Sequence, residues 1–264
     1  MLNYTIKKLL AGCGKTFANR TPDSDIGALL QTLYPVRVEA DLIRLGPKCD
    51  GGYLVPDDLS GLAACFSAGV STESGFELDC AERGIHCYLA DGSVDGPAER
   101  HPLMCFDKKF IGAVSAGGYW SLERWVSEKL GEKTMGDLML QMDIEGFEYE
   151  SLLSAPESLL KKFRIMVVEF HNLCGVETQP SFDLIKMTFQ KLLQTHFCVH
   201  IHPNNDHALK KIGPWSIPPL LEFTFLRKDR AQPLGFSVQF PHQLDIDCTS
   251  RRPLLLPECW YSPA

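Results

Sequence analysis

Apolar positions along the chain change their spacing several times, and each change marks a different element. Within residues 1–43, Ile26, Leu29, Leu30 and Leu33 recur at the three- and four-residue spacing of one helical face. The pattern stops at Tyr34-Pro35, where proline cannot continue a helix. Residues 1–43 are therefore expected to form a helical N-terminal extension, and 44–264 the main domain. From residue 62 short apolar runs alternate with helical patterns. Strands are expected at 62–68, 86–90, 138–142, 164–170, 197–201 and 220–226, with one more at 103–106 or 110–114. Helices are expected at 74–83, 121–130, 147–153 and 182–195, with Gly84 and Gly131 ending the first two.

Such alternation implies a parallel sheet with helices on both faces, because parallel neighbours need crossover connections. The last two strands are separated by residues 202–219, which carry four prolines and no strong helical pattern. They are expected to pair as an antiparallel hairpin at the edge. The expected fold class is thus α/β, Rossmann-like, with a seven-stranded mostly parallel sheet and an antiparallel edge hairpin. Residues 231–264 read as a tail that wraps this domain, and no internal repeat is visible.

Composition narrows the function. A chain of 264 residues, 45% hydrophobic, can bury the core of one large domain. Its net charge of -7 gives no general attraction to nucleic-acid phosphates, and its basic residues occur as isolated pairs such as Lys108-Lys109 and Arg251-Arg252. Nucleic acid is therefore not an expected partner. Ten cysteines include several in apolar runs and no Cys-x-x-Cys, so they read as reduced packing thiols. Residues 1–10 lack the long apolar stretch of a signal peptide or membrane span, and a cytoplasmic location is expected. The string Gly12-Cys13-Gly14-Lys15-Thr16 resembles the end of a phosphate-binding loop, but the required earlier glycine is Leu9.

In open doubly wound sheets the ligand lies beyond the carboxyl ends of the strands, near the reversal in strand order. After the first strand of the alternation comes a loop of small residues that includes Ser67, Gly69 and Ser71. After the second come Asp91 and Gly92, where a carboxylate can accept from both hydroxyls of an adenosyl ribose or, alternatively, brace a turn. No Gly-x-Gly-x-x-Gly accompanies them, which disfavours a dinucleotide. Three polar pairs at spacing two follow later strands: Asp143/Glu145, Glu169/His171 and His200/His202. In a strand, residues two apart share a face. Asp143, Glu169, His171, His200 and His202 are therefore candidate ligands for Mg²⁺, Mn²⁺ or Zn²⁺. Asp143, Glu145, Glu169 and His171 are also candidates for metal-free base chemistry. Asp50-Gly51-Gly52-Tyr53 reads either as a turn before a strand or as a segment folded over a cofactor.

The string Asp143-Ile144-Glu145-Gly146-Phe147-Glu148 is similar to the Asp-x-Glu-Gly-x-Glu stretch of FkbM-type methyltransferases, matching at Asp143, Glu145, Gly146 and Glu148. Arg44-Leu45-Gly46, Asp50-Gly51-Gly52-Tyr53, Val167-Val168-Glu169-Phe170-His171 and Pro241-His242-Gln243-Leu244-Asp245 resemble a branch that includes methyltransferase-like proteins of animals. The first loop departs from the family. Many members carry Asp-x-Gly-x-Asn-x-Gly, whereas Phe66-Ser67-Ala68-Gly69-Val70-Ser71 keeps one matching glycine and no leading aspartate. The resemblance implies a class I fold and methyl transfer from S-adenosylmethionine to a hydroxyl of a sugar or other secondary metabolite. Together with the strand-end positions it makes Asp50, Gly51, Gly52, Tyr53, Ser67, Gly69, Ser71, Asp91, Gly92 and Asp143 the candidate cofactor contacts. Two other readings compete: an NAD-dependent oxidoreductase or epimerase, and a non-catalytic module that binds an adenosyl ligand.

Overall fold

The computed structural model describes residue 12, residues 17–131 and residues 136–262. The expectations about residues 1–10 and about the string at 13–16 lie outside these residues.

Helix α1 (Asp23–Thr32) precedes a hairpin of β1 (Leu42–Leu45) and β2 (Tyr53–Pro56). Then follow β3 (Leu62–Ala68), α2 (Gly75–Glu82), β4 (His86–Ala90) and β5 (Met104–Asp107). A small parallel pair, β6 (Phe110–Gly112) and β7 (Tyr119–Ser121), leads into α3 (Leu122–Leu130). The chain continues with β8 (Asp137–Met142), α4 (Glu148–Ser154), α5 (Glu157–Leu160) and β9 (Phe163–Phe170). Last come α6 (Gln179–Thr195), β10 (His196–Pro203), the hairpin β11 (Lys210–Ile212) and β12 (Trp215–Ile217), and β13 (Leu221–Arg227).

Seven strands form one sheet in the order β10-β13-β9-β8-β3-β4-β5. All run parallel except β13, which is antiparallel to both neighbours. The mostly parallel Rossmann-like architecture agrees with the hydrophobic pattern. The last two strands pair antiparallel at one edge as expected, with β10 outermost and the reversed β13 beside β9. Residue 36 caps part of that edge, with Val36 N donating to Cys198 O at 2.8 Å. Of the two candidates for the third strand, the first joins the main sheet as β5 and the second becomes β6 of the separate pair.

Both faces of the sheet are buried, which explains the nearly continuous apolar strands. Every residue of β9 is buried. One face carries Phe66, Leu140, Met166 and Phe223 under α1, α3 and α6. The other carries Cys65, Met139, Ile165 and Val167 beneath the β1–β2 hairpin and α2. Helix α6 points Phe182, Ile185, Phe189 and Leu192 inward at helical spacing. Helix α3 starts at Ser121, whose hydroxyl accepts from Arg124 N, and ends at Gly131, whose φ of 63° suits glycine.

The N-terminal segment packs against the main domain. Within it only α1 and residue 12 are helical among the described residues, and the boundary at 43/44 falls inside β1. An apolar helical stripe needs cover, and Ile26 and Leu30 join Ile217 and Trp260 in the main core. The C-terminal tail wraps this helix, with Tyr34 donating to Ser262 O at 2.8 Å. The nine described cysteines carry free thiols, and Cys65, Cys80 and Cys87 cluster in the core. Among the described residues no helix is long and apolar enough to cross a membrane.

Candidate active site

The two ends of the sheet treat charge differently. At the amino ends of β8 and β9, Arg164 and Arg227 pair with Asp137 at 2.8 and 2.6 Å. At the carboxyl ends a row of acids has few cations. The register aligns His202 with Glu222 and Glu222 with Glu169. It also aligns Val168, Met142, Ala68 and Ala90, so Glu169, Asp143, Gly69 and Asp91 each stand one residue beyond that row. The chain order reverses between β3 and β8, which places the switch point beside Gly69 and Asp143.

Beside that point a cleft of about 480 Å³ is lined by Asp50, Asp143, Glu145, Glu169, His171, Asn204 and others. Ligand atoms of Asp143, Glu169 and His171 lie within 4.8 Å of one another. His171 Nε2 is 3.8 Å from Asp143 Oδ1, 3.9 Å from Glu169 Oε1 and 3.3 Å from Glu145 Oε2. Glu145 itself is 87% exposed and has a left-handed backbone, so it stands at the rim. Glu169 is buried; its Oε1 accepts from Asn204 Nδ2 at 3.2 Å, while Oε2 has no partner. Asp143 Oδ1 is likewise without a hydrogen bond. Burial pushes the Asp143 carboxyl up to about 7, with Glu148, Glu145 and Asp50 adding to the rise against His171. Burial, then Asp143 and Glu222, holds Glu169 well above the usual carboxylate range.

Glu148 matches the family-like string but was not among the candidate site residues. It is the hub of the turn: Oε1 accepts from Ile144 N at 3.1 Å and Gly146 N at 3.0 Å, and lies 3.1 Å from His171 Nδ1. An imidazole that donates through Nδ1 keeps its Nε2 lone pair turned to the cleft. Burial opposes a charge on His171, but Glu148, Asp143 and Glu145 outweigh it and raise its pKa. Three acids at spacings of two and three residues thus have separate roles, with Asp143 in the cleft, Glu145 at its rim and Glu148 beneath.

His200 and His202 do not join this cluster. His200 Nε2 donates to Asp245 Oδ1 at 2.8 Å, and His202 Nδ1 lies 3.6 Å from Asp245 Oδ2. The strand β13 separates them from β9, so His202 is two strand spacings, about 10 Å, from Glu169. Equal spacing in sequence placed all three pairs on strand ends; the insertion of β13 divided them. A further group gathers at that intervening strand: Glu222 of β13 lies with Asp50 of the β1–β2 turn and Cys248 of the C-terminal tail. Asp245 closes the string Pro241-His242-Gln243-Leu244-Asp245 and is the shared partner of both histidines.

The candidate cofactor contacts near β3 and β4 serve largely internal purposes. Asp91 Oδ2 accepts from Val70 N and Ser71 N at 3.1 and 2.8 Å, and Oδ1 from Ser93 N and Oγ at 2.7 and 2.6 Å. All four acceptor positions of the carboxylate are in use. Burial opposes its charge, but these bonds hold its pKa below the usual range. Gly69 has φ +82° and a Cβ there would lie 1.6 Å from Asp143 O, so the close approach it permits is to the protein backbone. Gly92 gives room to the Phe110 ring. Ser71 is exposed on the loop with φ 48°.

Ser67 is fully buried. Its Oγ contacts Glu77 Oε1 and lies 2.7 Å from Gln141 Oε1, and Gln141 Nε2 donates to Tyr53 Oη at 3.4 Å. One hydroxyl proton cannot serve two acceptors, so this chain closes when Glu77 carries a proton. Burial pushes Glu77 up to about 7, in agreement. Asp50, Gly51 and Gly52 form the turn of the β1–β2 hairpin, and of them Asp50 reaches the cleft. Trp125 is core, while Tyr119 stacks on Phe110 and Trp120 lies near Lys109 and Arg124.

No protein-family model matches the chain, and no curated protein matches it.

Proposed function

We propose that this chain is an S-adenosylmethionine-dependent methyltransferase acting on a hydroxyl group of a small molecule such as a sugar. The observation that carries the reading is the convergence of Asp143, Glu169 and His171 in a cleft beside the switch point of the sheet. Support comes also from the family-like string, whose Glu148 has a definite task in orienting His171. The inner reversed strand of a seven-stranded sheet is compatible with the class I fold that the resemblance implies.

The residues present fit an adenosyl ligand after one local exchange. Asp91 can receive a ribose hydroxyl where it now holds Ser93 Oγ, replacing one hydrogen bond by another. When bound, S-adenosylmethionine supplies an electrophilic methyl group. An alcohol is a weak nucleophile, so the chain's own task is to align the acceptor and help its O–H give up a proton. Asp143 and Glu169 each present an oxygen without a partner near that place, and Glu148 keeps the ring of His171 turned toward it.

The test is incubation with methyl-deuterated S-adenosylmethionine and a panel of sugars and other polyhydroxylated compounds. The expected result is an acceptor carrying the labelled methyl, with an equal amount of S-adenosylhomocysteine. Reduction of NAD⁺ by the same panel, with no labelled product, would replace this reading by the oxidoreductase one.

A further inference from the structure

The cleft concentrates negative charge to a degree that the protein leaves unanswered. Asp50, Asp143, Glu145, Glu169 and Asp206 line it, with no lysine or arginine lining it among the described residues. Asp206 has partners in Arg251 and His207. Asp143 and Glu169 have His171 as their nearby cationic side chain, and it is shared with Glu145 and Glu148. Glu169 is 3% exposed, yet its Oε2 receives no hydrogen bond. A buried carboxylate oxygen without a donor is costly, and such groups are commonly paired or bound to a metal.

We propose that Asp143, Glu169 and His171 bind one divalent transition-metal cation, with water or substrate oxygen completing its coordination. The three side chains are close enough for rotation about their own bonds to bring them around one ion, their ligand atoms lying within 4.8 Å of one another. Two metal–ligand bonds of about 2.1 Å span at most about 4.2 Å; His171 Nε2 lies 3.8 Å from Asp143 Oδ1 and 3.9 Å from Glu169 Oε1, and the unpartnered Oε2 belongs to the same carboxyl group as that Oε1. The supporting groups are in place. Glu148 beside Nδ1 leaves Nε2 free to ligate, and Asn204 holds Glu169 Oε1. A nitrogen ligand with two carboxylates suits Mn²⁺ or Zn²⁺ better than Ca²⁺ or Mg²⁺, which prefer oxygen alone. Binding of the ion stands independently of methyl transfer; a role in lowering the pKa of the acceptor hydroxyl rests on that reading.

Mn²⁺ is the probe of choice, because thiolates bind it poorly and the Cys65–Cys80–Cys87 cluster will not compete. Titration of the full chain, followed by the loss of the free-ion paramagnetic resonance signal, should give one site, and Mn²⁺ should raise the unfolding temperature. Glu169→Gln and Asp143→Asn, each checked for folding by circular dichroism, should weaken binding at least about tenfold. If one variant does not fold, the other decides. The inference is overturned if wild-type protein leaves the free-ion signal unchanged at millimolar Mn²⁺, or if a folded variant binds as tightly as the wild type. Either result leaves the methyl-transfer assay to be judged on its own.

Discussion

Two carboxylates stand at the same level of one sheet and show opposite chemistry. Asp91, after β4, has four donors on its two oxygens and a lowered pKa. Glu169, at the end of β9, has one donor, an oxygen without a partner and a raised pKa. Both are buried. The difference lies in what surrounds them: a loop of backbone N–H groups around the first, and other acids around the second. A saturated carboxylate builds structure, whereas an unsaturated one in a cleft is arranged for something that is not protein.

The largest expected effect tests the unsaturated side. Glu169→Gln or Asp143→Asn should lower methyl transfer by about 10²–10⁴-fold with little change in donor affinity, measured as kcat and KM on the identified acceptor. A chelator should remove activity and Mn²⁺ restore it. Unchanged kcat in both variants would reduce these acids to structural polar groups.

The next effect belongs to the saturated side and depends on pH. Glu77 has a folded-state pKa of about 7 against an ordinary value of 4.5, so the folded chain holds its proton more tightly than the unfolded chain. Stability should therefore fall as pH rises from about 4.5 through 7, by about 3 kcal/mol in all from this group. Glu77→Gln should flatten that slope, as read from urea midpoints at pH 5 and pH 8. An equally steep slope in the variant would place the cause elsewhere.

The smallest effect sets the two carboxylates directly against each other. Asp91→Ala strands four donors and should lower stability by about 2 kcal/mol. Glu169→Gln replaces a poorly satisfied buried carboxyl by a neutral amide and, without metal, should cost nothing or stabilise the chain. Thermal unfolding of the two variants side by side checks both. Equal losses would erase the contrast.

Much of this was legible in the sequence where the signal is local. The strands 62–68 and 86–90 coincide with β3 and β4, because a parallel strand buried on both faces is a continuous apolar run. The convergence of Asp143, Glu169 and His171 was also legible, since all three lie at or just beyond the carboxyl ends of the neighbouring strands β8 and β9. Strand order was not. Nothing in the pairs at 169/171 and 200/202 shows that β13 lies between them, and that insertion moved His200 and His202 to Asp245. Roles inside a motif were equally hidden. Glu148 and Glu145 look alike in sequence, but one is buried under His171 and the other stands in solvent. Ser67 and Asp91 lie where a ligand loop is expected, and the donors and acceptors that occupy them come from α2, β8 and the neighbouring turns.

Under the proposed function an adenosyl ligand binds beside the acid cleft, its ribose hydroxyl taking the place of Ser93 Oγ on Asp91. Native mass spectrometry of the full chain, incubated with S-adenosylmethionine and NAD⁺ together, tests it most directly. The expected spectrum shows one S-adenosylmethionine or S-adenosylhomocysteine per chain, retained in Glu169→Gln. A chain that retains NAD⁺ instead, or that carries no adenosyl ligand at saturating concentration, would contradict the account.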